Sequence, residues 1–109
     1  MTEESFDSRI VVIDNGTASI KAGFAGETTP EAVQPTVIGR TKQVEQQTYF
    51  GKMAIERNRG GLLNLQYPID YKEGGTITDW SDMEKLWEYT FQEVLDINPS
   101  ESDGVLMTM

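Results

Sequence analysis

Arg9-Ile10-Val11-Val12-Ile13-Asp14-Asn15-Gly16-Thr17-Ala18-Ser19-Ile20-Lys21-Ala22-Gly23-Phe24 is the stretch that decides the fold class. Arg9 to Ile13 reads as a short β-branched run, the pattern of a strand covered on both faces. From Ser19 to Phe24 the chain alternates instead. Ile20, Ala22 and Phe24 share one face and Ser19, Lys21 and Gly23 the other, which predicts a second strand folded back antiparallel. Asn15-Gly16 starts the connecting turn, since both residues tolerate positive φ. Thr36-Val37-Ile38-Gly39 predicts a third, shorter strand that completes a β-meander.

Outward from this unit, Arg40 to Thr48 is polar and has no apolar face, so it reads as an exposed loop. Tyr49-Phe50 restarts a strand. Lys52 to Asn58 predicts two helical turns with Met53, Ala54 and Ile55 inward, stopped by Gly60-Gly61. Leu62 to Tyr67 is strand-like and Pro68 halts it. The clearest helix lies over residues 82–95, where Met83, Leu86, Trp87, Thr90, Phe91 and Val94 form one apolar stripe at helical period. Ser81 with Glu84 fits a capping box there. Asp79 and Asp82 bracket the helix start as capping groups, and Trp80, Trp87 and Phe91 read as core packing. Gly104 to Met109 has the apolar onset of a buried parallel strand, which implies either pairing inside a sheet or a piece of a longer chain.

The chain has 109 residues, with 18 acidic and 9 basic side chains and no His or Cys. That length allows one domain with one small core. The missing Cys exclude disulfides and thiolate zinc sites, and the missing His removes the commonest metal ligand and general base. Only carboxylates are left to hold a metal, which suits Mg²⁺ or Ca²⁺. A net charge of −9 repels phosphate backbones and argues against nucleic acid as a partner. The acidic start, residues 1–8, reads as a flexible tail rather than a targeting signal, and no apolar run approaches membrane-spanning length, so no membrane insertion is expected. The expected setting is soluble, cytoplasmic or nuclear.

An Asn-Gly after a strand is first of all a hairpin turn. Its company favours a ligand role: Asp14 at the carboxyl end of the strand, then Gly16-Thr17-Ala18-Ser19, then Lys21 on the return. A turn of small residues exposes successive backbone N–H groups, and the Thr17 and Ser19 hydroxyls add donors, so an anionic oxygen could be cradled there. Lys21 adds a point charge for phosphate. Asp14 has the wrong sign for phosphate and the right one for a hydrated Mg²⁺ beside it.

The blocks Ile13-Asp14-Asn15-Gly16, Lys21-Ala22-Gly23-Phe24-Ala25-Gly26 and Pro35-Thr36-Val37-Ile38-Gly39-Arg40 resemble the opening of actin and the actin-related proteins. Further blocks follow in family order, through Tyr67-Pro68-Ile69, Thr78-Asp79-Trp80, Asp82 to Trp87 and Val105-Leu106-Met107-Thr108. The resemblance implies an α/β chain, the N-terminal portion of the actin and hexokinase type of ATPase fold. Residues 9–35 would open the large subdomain with the first phosphate-binding hairpin. Residues 36–70 would be a small outer subdomain with the exposed loop 41–48, and 71–109 would return to the large one.

By the same resemblance Asp14 would hold hydrated Mg²⁺, while Gly16, Thr17, Ala18, Ser19 and Lys21 would embrace the phosphates of ATP or ADP. The acidic tail would be a docking site for motor proteins, and other actin-like subunits or a multiprotein assembly would be partners, in the cytoskeleton, nucleus or cilium. Two features depart from conventional actin: the loop after Arg40 is shorter and lacks the apolar filament contact, and Tyr71-Lys72-Glu73-Gly74-Gly75 replaces a shorter connection. Filament formation of the usual kind is therefore not expected. The second half of the nucleotide site lies outside these residues, so the chain alone is not expected to hydrolyse ATP. Two readings stand: one jaw of a magnesium-nucleotide clamp in an actin-like or actin-related subunit, or an actin-like interaction module without nucleotide.

Overall fold

The computed structural model describes residues 10–27, 32–70, 72 and 74–109. The acidic tail therefore lies outside the described residues. Strands β1 (Ile10–Asn15) and β2 (Ser19–Phe24) pair antiparallel, with Asp14 opposite Lys21 and Asn15 opposite Ile20. The third strand of the meander is β3 (Ala32–Pro35), not the 36–39 stretch, and its register sets Ser19 opposite Pro35. The final strand, β9 (Gly104–Thr108), joins the other side of β1 in parallel, giving a sheet ordered β3-β2-β1-β9.

One face of this sheet forms the core. Val11, Ile13, Ile20 and Ala22 pack with Met83, Leu86, Phe91, Leu95 and Ile97, joined by Ile38 and Ile69. Each fully buried aliphatic side chain here contributes about 1.5–3 kcal/mol through removal from water. The expectation that β1 is covered on both faces fails: Ile10 and Val12 are half-buried and Asp14 is exposed, so among the described residues only the Val11, Ile13 and Asn15 side is covered. The parallel pairing of β9 is as expected, but its burial is not. It is an edge strand, and Leu106 is 56% exposed.

A second sheet, ordered β5-β4-β6, is made by β4 (Ile38–Thr41), β5 (Thr48–Phe50) and β6 (Leu63–Gln66), with α1 (Gly51–Arg57) against it. The chain from 42 to 47 is exposed between β4 and β5. Gly39 permits the close approach of β4 to α1, since a Cβ there would stand 3.2 Å from that of Ala54 and 2.9 Å from Leu63 Cδ1. Of the three residues expected inward on α1, only Ala54 is buried; Met53 and Ile55 face solvent because three consecutive positions, each about 100° apart, cannot share one helix face. A two-stranded ribbon, β7 (Ile69–Asp70) with β8 (Thr76–Ile77), follows.

Helix α2 (Trp80–Tyr89) starts two residues before the expected range, and Asp79 is its cap. The Asp79 carboxylate accepts the Asp82 N–H at 3.0 Å, so the Ser81 box is not used. Met83, Leu86, Thr90 and Phe91 are buried along the stripe, with Trp87 and Val94 half-buried, whereas Trp80 sits off it and is 61% exposed, packing edge-on against Trp87. The helix then widens into a π turn, Thr90–Val94, where Leu95 N–H donates to the Thr90 carbonyl at 2.8 Å. No helix among the described residues is long and apolar enough to cross a membrane.

Candidate functional site

The turn from β1 to β2 is tight because of one glycine. Neither Asn15 nor Gly16 has a positive φ, contrary to the expected turn chemistry. Gly16 is required for space: a Cβ there would stand 2.8 Å from the Ser19 carbonyl oxygen, which accepts the Gly16 N–H at 3.0 Å. Thr36 fastens the turn from outside. Its hydroxyl donates to the Gly16 carbonyl at 2.8 Å and its N–H to the Ala18 carbonyl at 3.1 Å. These bonds take up the Gly16, Ala18 and Ser19 carbonyls and the Gly16 N–H. No acceptor among the described residues takes the N–H of Thr17 or Ala18.

Thr17 and Ala18 border an open cleft of about 500 Å³ whose other walls are Tyr67, Ile69, Asp70 and Lys72. Asp70 orders the far wall, its carboxylate accepting the Lys72 N–H at 2.8 Å. Asp14 and Lys21 do not line that cleft. They stand opposite each other on the exposed face of the sheet, both exposed to solvent. Thr108, opposite Asp14 on β9, donates its hydroxyl to the Asp14 carboxylate at 2.9 Å. Ser19 is half-buried at the head of β2. The fold thus puts all six residues at one end of one hairpin, with the turn amides beside the cleft and the Asp14–Lys21 pair on the adjoining sheet face.

Three positioning residues are not evident from sequence patterning. Asn15 belongs to β1 rather than to the turn: its Oδ1 accepts the Trp87 indole N–H at 2.8 Å, and its Nδ2 donates to the Thr108 carbonyl at 3.2 Å. It therefore ties β1 to α2 and β9 directly beneath Asp14. The signal for this was Trp87 on the apolar stripe, because a buried indole N–H needs a partner. Thr36, taken for a strand residue, is the turn's staple. Arg40, expected in an exposed loop, is the last residue but one of β4 and forms a two-pronged pair with Asp82, Nη2 to Oδ1 at 2.5 Å and Nη1 to Oδ2 at 3.1 Å, and also donates to Gln66. The Arg40 hydrogen bond holds the Asp82 carboxyl below its usual range, against the opposing effect of burial. The same bond raises the Arg40 guanidinium further.

A metal held directly by protein is not built here, since among the described residues no three His, Cys, Asp or Glu side chains come together. A lone exposed carboxylate at Asp14, a lysine opposite it and two open N–H groups fit a hydrated cation and a phosphate instead.

The profile of the actin family matches residues 6–109. The chain belongs to the actin family. An actin-like protein of Neurospora crassa is 38% identical over 112 residues, an alignment that takes in 96% of this chain and 28% of that relative. This actin-family chain thus spans little more than a quarter of that relative's length. The mixed α/β architecture, with a meander-based sheet and flanking helices, agrees with the N-terminal portion of an actin-like fold.

Proposed function

We propose that this chain supplies the first phosphate-binding hairpin of a Mg-ATP site in an actin-like cytoskeletal protein or an actin-related subunit of a larger assembly. The observation that carries the reading is the pair of N–H groups at Thr17 and Ala18, bordering a cleft and spoken for by nothing among the described residues, while the Gly16, Ala18 and Ser19 carbonyls around them are engaged. An anionic oxygen at the turn would complete these donors without displacing a protein bond. Lys21 would neutralise phosphate charge, and Asp14, steadied by the Thr108 hydroxyl, would accept hydrogen bonds from water bound to Mg²⁺. When bound, the magnesium would withdraw charge from the phosphate oxygens.

Calorimetric titration of the full-length protein with Mg-ATP tests this. The parent should bind, and Lys21→Ala should weaken affinity about tenfold or more while leaving the melting temperature near the parent's. A parent that shows no heat and no nucleotide-dependent rise in stability would favour the second reading, an actin-like interaction module without nucleotide. Partners would then be other actin-like subunits or a multiprotein assembly in the cytoplasm or nucleus.

A further inference from the structure

Opposite the β1–β2 turn, the far wall of the cleft carries a cation, Lys72. It lies in the connection from β7 to β8, where Gly74 and Gly75 take φ of 77° and 79° and turn the chain back. Asp70 pins this connection twice. Its carboxylate accepts the Lys72 N–H at 2.8 Å and its carbonyl accepts the Gly75 N–H at 3.0 Å. Lys72 is thereby held across the cleft from Thr17 and Ala18. Its side chain is exposed, and among the described residues the only ion pair is Arg40–Asp82, so no carboxylate there neutralises the ammonium.

The two lysines near the turn stand in different places. Lys21 is on the sheet face opposite Asp14, whereas Lys72 is in the cleft. A row of linked phosphates lying along the turn from the Asp14–Lys21 side meets the far wall of the cleft, where Tyr67 and Ile69 bar further extension and Lys72 offers charge. The phosphate in the cleft is therefore the last of the row. In a chain of net charge −9, each further phosphate adds repulsion that a local cation must offset. We propose, resting on the reading of the turn as a Mg-nucleotide site, that Lys72 holds the terminal phosphate and makes the site selective for a nucleoside triphosphate over the diphosphate. Its ammonium is a point charge on a flexible stem, which suits a phosphate oxygen without demanding one fixed geometry. Lys21 meets phosphates common to both nucleotides. The two lysines thus govern different quantities: Lys21 the affinity for either nucleotide, Lys72 the ratio between them.

Calorimetric titrations of the full-length protein test this, with Mg-ADP and with the magnesium complex of the non-hydrolysable triphosphate adenylyl imidodiphosphate. Lys72→Ala should weaken the triphosphate about tenfold and the diphosphate by less than about twofold, while Lys21→Ala weakens both. Lys72→Arg keeps the charge and should retain most of the triphosphate preference, which separates loss of charge from disturbance of the loop. An unchanged ratio in Lys72→Ala, whether neither affinity moves or both fall together, overturns the role of Lys72, while binding by the parent keeps the Mg-nucleotide reading in place. Both falling together would mark the cleft as holding a part common to the two nucleotides, such as the base beside Tyr67. A parent that binds neither nucleotide overturns both readings.

Discussion

The four-stranded sheet buries Val11, Ile13, Ile20 and Ala22 beneath α2, whereas the three-stranded sheet closes over Ala54 and Leu63 and leaves Met53, Ile55 and Leu62 in contact with water. The first is held by apolar area. The second is smaller, and apart from Ile38 and Phe50 against the shared core its attachment to the rest includes directional contacts: the Arg40–Asp82 pair and the Phe50–Tyr89 ring stack at 5.2 Å. The difference teaches which substitutions unfold the molecule and which merely loosen one part of it. The proposed phosphate turn belongs to the first region, between β1 and β2.

Ile13→Ala should break the comparison most severely. It empties a fully buried position in β1 and should cost about 2–5 kcal/mol, read as a fall in the urea midpoint with an unchanged slope. A loss below about 1 kcal/mol would mean that the larger sheet is not the stability centre.

Asp82→Ala should come next, at about 2–3 kcal/mol, because it strands the Arg40 guanidinium. Its effect should also depend on pH. The folded Asp82 carboxyl titrates below its unfolded range, so the pair's stabilisation is complete above about pH 4–5 and is lost as pH falls through the depressed folded value. Stability measured from pH 6 down to pH 2 should therefore fall less steeply in Asp82→Ala than in the parent; parallel curves would remove the pair from this role.

Smaller effects sharpen the contrast. Asp79→Ala should cost about 1 kcal/mol through the lost helix cap, while Ser81→Ala should stay within about 0.5 kcal/mol in the same thermal melts. Equal losses at both positions would return the cap to Ser81. Leu62→Ser, on the exposed rim, should change stability by no more than about 0.5 kcal/mol, and a larger loss would show that the small sheet has a core after all.

The legible parts of the fold were those with strong local pattern. β2, α2 and its buried stripe follow from periodicity, and β1, the short helix at α1 and the last strand from local apolar runs and their stop signals. The third strand was misplaced because Ala32-Val33-Gln34-Pro35 has one β-branched residue and ends in proline; an edge strand tolerates both, and edge position is a tertiary fact. The extra burial expected of β1 and β9 failed because a continuous apolar run records that a surface needs covering, without saying by which residues. For the candidate site, residue types and order placed Asp14, the turn and Lys21 on one hairpin. What patterning could not supply was the support: Asn15 bonded to a side chain 72 positions away, and Arg40 paired 42 positions away, depend on contacts that only folding creates.

Thr36 stands where the chain leaves the larger sheet for the smaller one, and it grips two peptide groups of the Gly16–Ser19 turn at once. Any swivel of the smaller sheet about this crossover would pull on the turn through a single residue, with little slack to absorb it. The threonine is a joint as well as a staple, and the shape of the turn becomes a gauge of how the two sheets are set against each other.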